Sequence, residues 1–260
     1  MSMMTVDENL CQRDGACVAV CPSRALSLDE EGYPTEFSEA ACLLCGHCMS
    51  VCVTGALVHA DMAADSFESL PGVLPAPEQI DSLLKSRRSI RSFKDKPADR
   101  ETILSCLNIA RRAPTAKNSQ RLHWIVVEGK EKVRELSLEA INGLDASSVQ
   151  PGLLQRWNEG YDFILRRAPS VVVVCAPTEY AWGKEDASIA LTYFEMAAKA
   201  RGVGVCWAGY LTVVAQRHAP LRRLLRVPDG YSVRGAMMVG QSKYTYRRVP
   251  PRKPLSVQWN

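Results

Sequence analysis

Apolar residues recur at helical spacing in three stretches of the chain. Ile80, Leu83 and Leu84 predict a short amphipathic helix that ends near Arg87. Ile103, Leu107 and Ala110 predict a second behind an Asp99 cap, stopped at Pro114. Ala187, Ala190, Leu191, Phe194 and Ala198 predict the longest, from about Asp186 to Arg201 with Gly202 closing it. Apolar runs at Trp124–Val127 and Ser170–Cys175 read as buried strands, and Val233–Gly240 as a last one. The longest run, Val171–Ala176, has a strand's length and falls far short of a membrane span. Helices interleaved with a few strands make residues 78–260 an α+β domain, with α/β as the neighbouring reading, and give it chain enough for its own core.

These longer elements begin only after a break. Leu70-Pro71-Gly72-Val73-Leu74-Pro75-Ala76-Pro77 is too rich in proline for a helix interior or a central strand. Residues 61–77 therefore read as a linker between a domain at 1–60 and one at 78–260. At 47% hydrophobic and 23% charged, the composition excludes wholesale disorder. A net charge of +4 makes no case for a nucleic-acid partner. Met1–Asp14 carries acidic residues where a signal peptide is basic and then apolar, so the expected setting is the cytoplasm, without a membrane.

Ten cysteines change the picture, because seven of them lie between Cys11 and Cys52. Nothing suggests secretion, so a disulfide framework is not expected. Cys42, Cys45, Cys48 and Cys52 read C-x2-C-x2-C-x3-C, the spacing that wraps thiolates around a four-iron cluster, and Gly46 eases the tight loop inside it. Cys11, Cys17 and Cys21 repeat positions one, three and four, with Pro22 following and Asp14 at position two. Zinc prefers paired knuckles, which a triple run at two-residue spacing fits poorly. His47 and His59 lie close by and read as surface or packing residues, not as ligands.

Two such halves resemble a bacterial two-cluster ferredoxin domain. In that family the fourth cysteine of each run crosses to the other cluster. The resemblance implies one cluster on Cys42, Cys45, Cys48 and Cys21, and another on Cys11, Cys17 and Cys52 with Asp14 as a hard oxygen ligand. A carboxylate at that corner would make it labile, so the second cluster is expected to exchange between four-iron and three-iron forms. The other readings of Asp14 are a polar loop residue beside an open corner, or a first half that holds no cluster.

Three polar segments of the second domain go unexplained by packing. Arg87-Arg88-Ser89-Ile90-Arg91-Ser92-Phe93 offers guanidinium and hydroxyl donors to a phosphate, or is simply a solvated basic turn. Ala113-Pro114-Thr115-Ala116-Lys117-Asn118-Ser119-Gln120 offers amides to a heterocycle edge, or is a polar loop. Gly202-Val203-Gly204-Val205-Cys206-Trp207-Ala208-Gly209 reads as backbone lying against a flat ligand, or as a tight turn with one core aromatic.

In this order, and with the tail Arg247-Arg248-Val249-Pro250-Pro251-Arg252, the segments resemble the FMN-dependent nitroreductase family over residues 80–256. That resemblance implies a homodimer with two FMN sites built from both chains. Arg87, Arg88, Ser89 and Arg91, joined by Arg252, would hold the phosphate and ribityl chain. Asn118 and Gln120 would approach the isoalloxazine, with Trp207, Ala208 and Gly209 along the ring. Pro250 departs from members with a second basic residue there. No side chain stands out as an acid, base or nucleophile, so no catalytic residue is assigned.

Together the halves imply an iron–sulfur flavoprotein oxidoreductase that passes electrons from clusters to FMN and on to a small acceptor, such as a nitroaromatic or a quinone. No G-x-G-x-x-G follows a strand, so a protein is the expected electron donor. The alternatives are an electron-transfer or binding module without its own substrate, and a reductive dehalogenase-like member of the same superfamily.

Overall fold

The structure is a computed structural model describing residues 3–36, 38–70 and 72–260. It divides into two compact units: the chain up to Leu74 with Lys117–Ser119, and Pro75–Ala116 with Gln120–Asn260. Among the described residues no helix is long and apolar enough to cross a membrane.

The first unit is a repeat folded twice. Strand β1 (Met4–Val6) pairs antiparallel with β4 (Leu57–His59), and β2 (Leu26–Leu28) with β3 (Pro34–Glu36). Helices α1 (Ala16–Ala19) and α2 (His47–Val51) are single turns. Cys11 and Cys42, Cys17 and Cys48, Cys21 and Cys52 all stand 31 residues apart. The backbone repeats at the same interval: Gly15 and Gly46 begin the two helices at φ 69° and 72°, and Arg24 and Gly55 stand at φ 53° and 69°. Such left-handed turns wrap a short loop around its own centre. The core is small. Met3, Met4, Ala25, Leu26 and Leu57 are buried, and half-buried cysteines pack against them.

In the second unit β5 (His123–Glu128), β6 (Ser170–Pro177), β7 (Gly204–Trp207) and β8 (Tyr231–Gly240) form an antiparallel sheet in the order β5-β6-β8-β7. Helices α3 (Pro77–Ser86), α4 (Arg100–Ala110) and α7 (Gly183–Ala200) arise where the apolar spacing requires them, α7 starting three residues earlier than expected. Asp99 caps α4 as anticipated, accepting from the Thr102 N–H at 3.1 Å. Four further helices join them: α5 (Lys130–Asn142), α6 (Leu153–Asn158), α8 (Gly209–Arg217) and α9 (Ala219–Leu225).

Both faces of the sheet are covered. Val172 and Val174 pack with residues of α4 and α7, while Val171, Val173 and Cys175 pack with residues of α5, α8 and α9. Strand β6 thus buries alternate side chains on opposite sides, and this accounts for its uninterrupted apolar run. Gly235, on the neighbouring β8, has no room for a side chain: a Cβ there would lie 2.5 Å from Leu191 Cδ1 and 3.1 Å from the Trp207 ring. Gly235→Ala is expected to destabilise the second unit by about 1–3 kcal/mol through overpacking. Chemical denaturation checks this, and an unchanged midpoint would contradict it.

Candidate functional site

In the first unit the eight candidate ligands fall into two sets. Cys11, Asp14, Cys17 and Cys52 line one small cavity, beside Val6, Ala16 and Leu57. Cys21, Cys42, Cys45 and Cys48 line a second, beside Met3, Met4 and Leu26. The fourth cysteine of each run therefore stands with the first three positions of the other. Among the described residues no three His, Cys, Asp or Glu side chains are gathered as ligands of a single metal ion. Thiolates that hold a four-iron cube instead stand around its corners.

The two crossing cysteines are prepared alike. The Ala25 N–H donates to Cys21 Sγ at 3.2 Å, and Ser23 Oγ lies 3.8 Å from that sulfur. Thr54 Oγ1 lies 3.7 Å from Cys52 Sγ. Burial pushes both thiols up, but the backbone N–H groups of Ser23, Ala25 and Leu26, and of Thr54, Ala56 and Leu57, with the two hydroxyls, outweigh it and leave both lowered. Burial prevails at Cys17 and Cys48, which are raised. N–H groups aimed at sulfur stabilise charge on it, so these donors fit cluster-bound thiolates.

Asp14 is exposed, and its Oδ1 accepts the Ala16 N–H at 3.0 Å. One carboxylate oxygen thus fixes the start of α1, and the other is left for a ligand's role. His59, read from sequence as a surface or packing residue, is 2% exposed, and its Nε2 lies 3.7 Å from Cys42 Sγ. Asn118 also belongs to this unit, where its side-chain amide donates to the Leu43 and Leu44 carbonyls at 3.2 and 2.8 Å.

In the second unit the arginine segment is fixed by its own isoleucine. Ile90 is buried against Gly204, where a Cβ would meet it at 2.8 Å, and the Ile90 N–H donates to the Val205 carbonyl at 2.9 Å. Arg87 forms an ion pair with the nearly buried Glu195 of α7 at 2.9 Å. Arg88 donates to the Lys85 carbonyl at 2.9 Å and to the Arg248 carbonyl at 3.4 Å, which ties the tail to the segment. Its Nε is buried without a hydrogen-bond partner among the described residues. Arg87 and Arg88 line one pocket with Lys199, Tyr244 and Tyr246.

Arg91 is exposed and donates to the Ser89 carbonyl at 3.3 Å. Burial, and then the Arg91 charge, lower the Arg166 pKa; the Arg166 guanidinium lies over the Tyr161 ring, 5.0 Å from its centroid. The same two charges and the Ser89 hydroxyl act on Cys206, whose thiol burial nevertheless raises. The guanidiniums of Arg91 and Arg166 and the Ser89 hydroxyl, all acting on Cys206, are donors suited to a phosphoryl group.

Arg166 escapes a reading of the sequence because tertiary geometry puts it there. The Asp162 carboxylate accepts from the N–H groups of Ile164, Leu165 and Arg167 at 3.0, 2.9 and 2.9 Å, and the tight turn sets Arg166 and Arg167 at φ 56° and 52°. Asp186 escapes it as well, because the apolar spacing marks it only as a helix start. It is 3% exposed, takes the Ala116 N–H at 3.0 Å and the Tyr180 hydroxyl at 2.6 Å, and so holds the start of the amide loop. A carboxylate on the buried stripe of α7 is the signal that marks it.

The remaining candidates are dispersed. Gln120 is exposed at φ 49°, its N–H donating to Thr115 Oγ1 at 3.1 Å. The glycine-rich segment turns only at Gly202, at φ 72°, and is then strand and helix: Gly204–Trp207 form β7, Ala208 is fully buried, and Gly209 opens α8. Trp207 is 40% exposed, so it is no core aromatic. Arg252 is exposed in a tail without regular secondary structure.

Residues 84–241 match the model of the nitroreductase family, and residues 3–53 that of a 4Fe-4S dicluster domain. A nitrobenzene nitroreductase from Ectopseudomonas oleovorans is 25% identical over 203 residues, covering 64% of this chain and 88% of its own. An FMN-dependent nitroreductase from Clostridium difficile is 29% identical with a TM-score of 0.50, covering 66% of this chain and 91% of its own. A nitroreductase with bound FMN from Bacteroides fragilis superposes with a TM-score of 0.59 over 69% of this chain and 99% of its own; at 23% identity it speaks for the fold alone. With its match spanning more than half of the residues, the chain belongs to the nitroreductase family, and it carries a 4Fe-4S dicluster match ahead of that domain.

Proposed function

We propose that this nitroreductase-family oxidoreductase takes up single electrons at two iron–sulfur clusters in its first unit and uses them, through FMN in its second, to reduce a small acceptor such as a nitroaromatic or a quinone. The observation that carries the proposal is the pair of crossed sulfur sets, each with N–H or hydroxyl donors on its crossing cysteine, on a chain whose other unit belongs to a flavin-using family. Clusters supply one-electron transfer at low potential, and FMN converts single electrons into pairs.

Arg88, Ser89 and Arg91 would hold the FMN phosphate, joined by Arg166 and, from the tail, by Arg252. Arg87 would stand beside them, oriented by Glu195. Gln120, Trp207, Ala208 and Gly209 would border the ring, with Asn118 as the further amide assigned by resemblance. Cys21, Cys42, Cys45 and Cys48 would hold one cluster, and Cys11, Cys17, Cys52 and Asp14 the other.

A homodimer is part of the proposal. The tail leaves Val249 59%, Leu255 88% and Trp259 92% exposed, a row of large apolar side chains for a second copy to cover. The domain limits proposed from sequence stand with it: clusters at 1–60, a linker at 61–77 and the flavin domain at 78–260.

Three outcomes test this reading. Arg91 is exposed and donates to a carbonyl only two residues away, so Arg91→Ala should leave the fold intact. Losing one charge-assisted contact of about 1.5–3 kcal/mol should weaken flavin binding about ten- to hundredfold. Full flavin retention after dilution would displace the phosphate from this site. Deleting residues 247–260 should abolish both dimer and flavin by light scattering and absorbance, and a flavin-loaded dimer would refute the shared site.

Asp14 gives the third. Iron and sulfide analysis of anaerobic protein should account for two clusters, and brief air exposure should convert one to a three-iron EPR signal that Asp14→Cys abolishes. Two clusters equally resistant to air in the native protein would remove Asp14 as a weak corner.

A further inference from the structure

The internal repeat contains its own control for one residue. Counting 31 residues on from each position of the first half, Ala25 corresponds to Ala56, Leu26 to Leu57, and Leu28 to His59. The first two pairs are buried alike, at 2% and 2% and at 5% and 3%. The third pair differs in kind. Leu28 ends β2 with 43% of its surface exposed, whereas His59 ends β4 and is 2% exposed.

The backbone sets the tautomer of that imidazole. The Asp61 N–H donates to His59 Nδ1 at 3.0 Å, so Nδ1 is an acceptor and the ring proton resides on Nε2. Nε2 lies 3.7 Å from Cys42 Sγ, within the range of a hydrogen bond to sulfur. Cys42 stands with Cys21, Cys45 and Cys48 around one cavity. His47, not His59, lines that cavity, so His59 meets the set only through Cys42; no histidine lines the cavity of Cys11, Asp14, Cys17 and Cys52.

We infer that His59 is a positioning residue which, through an Nε2–H···Sγ bond to Cys42, raises the reduction potential of one cluster above that of the other. The inference rests on the proposed cluster ligation. A hydrogen bond to a ligand sulfur offsets charge on the thiolate, and the offset is worth most in the reduced cluster, which carries one more negative charge. Each reduction adds one electron from the donor to one cluster, and no proton leaves or joins His59. The two halves share their loops and their crossing-cysteine donors, so this bond separates them in addition to the exchange of Cys45 for Asp14 at the second ligand position. The cluster on Cys21, Cys42, Cys45 and Cys48 becomes the better electron acceptor and the place where an electron collects.

The test is an EPR-monitored redox titration of the anaerobically prepared full chain, with the clusters told apart by which one responds to Asp14→Cys. His59→Leu gives the second half the side chain of the first. It is expected to lower the reduction equilibrium constant of the Cys42 cluster about tenfold, or about 59 mV for a one-electron couple, and to leave the other cluster in place. His59→Gln keeps an N–H donor and is expected to restore part of the shift. An independent readout needs no change at His59: in His47→Gln protein labelled with [15N]histidine, ENDOR should detect a histidine nitrogen coupled to one cluster only. Potentials unmoved by His59→Leu, equal shifts of both clusters, or no histidine coupling would each overturn the inference. Absence of iron from the Cys42 set would instead refute the ligation beneath it, and iron analysis distinguishes that failure from the others.

Discussion

The first unit is built around its thiols, which pack against its small apolar core. Among the described residues, seven buried apolar side chains cannot repay the conformational entropy of so many residues in short loops and three-residue strands. Cysteines occupy the space where a larger domain would place leucines. Left-handed residues at matching positions turn each run about its own centre, and N–H groups converge on the crossing sulfurs. On the proposed ligation, metal binding and folding are one process, since ligands that are scattered in the unfolded chain are gathered only as the loops close.

The second unit meets the opposite requirement, because a flavin-family scaffold must hold polar segments in place over a dry core. Helix α7 does so with two carboxylates that would be costly if left alone. Glu195 is satisfied by Arg87 and Asp186 by the Ala116 N–H and Tyr180. One helix thereby anchors both the arginine segment and the start of the amide loop. Its apolar stripe meanwhile covers one face of the sheet. The free thiols of this unit are of another kind: burial pushes Cys175 up to about 12, which leaves it inert at neutral pH.

Much of this was legible in the chain itself. Cysteine spacing is a local property, so the two runs and the aspartate that interrupts one of them could be read directly. Helices α4 and α7 announced themselves because their apolar stripes are regular and their ends carry Asp99 and Gly202. Strand β7 was hidden, since Gly204 is small only to admit Ile90, and the sequence shows the glycine without its neighbour. Helix α5 buries Val133, Leu136 and Ala140 between charged residues that mask the stripe. Arg166 and His59 owe their positions to the Asp162 turn and to the Asp61 N–H, which no residue spacing encodes.

On the proposed function, electrons enter through the clusters and not by hydride transfer to the flavin. The other route is direct reduction of the flavin by a nicotinamide, and the two make opposite demands on the first unit. The direct measurement is anaerobic rapid-mixing absorbance of the full chain and of Cys48→Ser, each mixed with reduced ferredoxin and, separately, with NADH. Cluster bleaching that precedes flavin reduction with ferredoxin, and is lost together with flavin reduction in Cys48→Ser, is the expected result. Flavin reduced by NADH at the same rate in both proteins, with no response to ferredoxin, would contradict it.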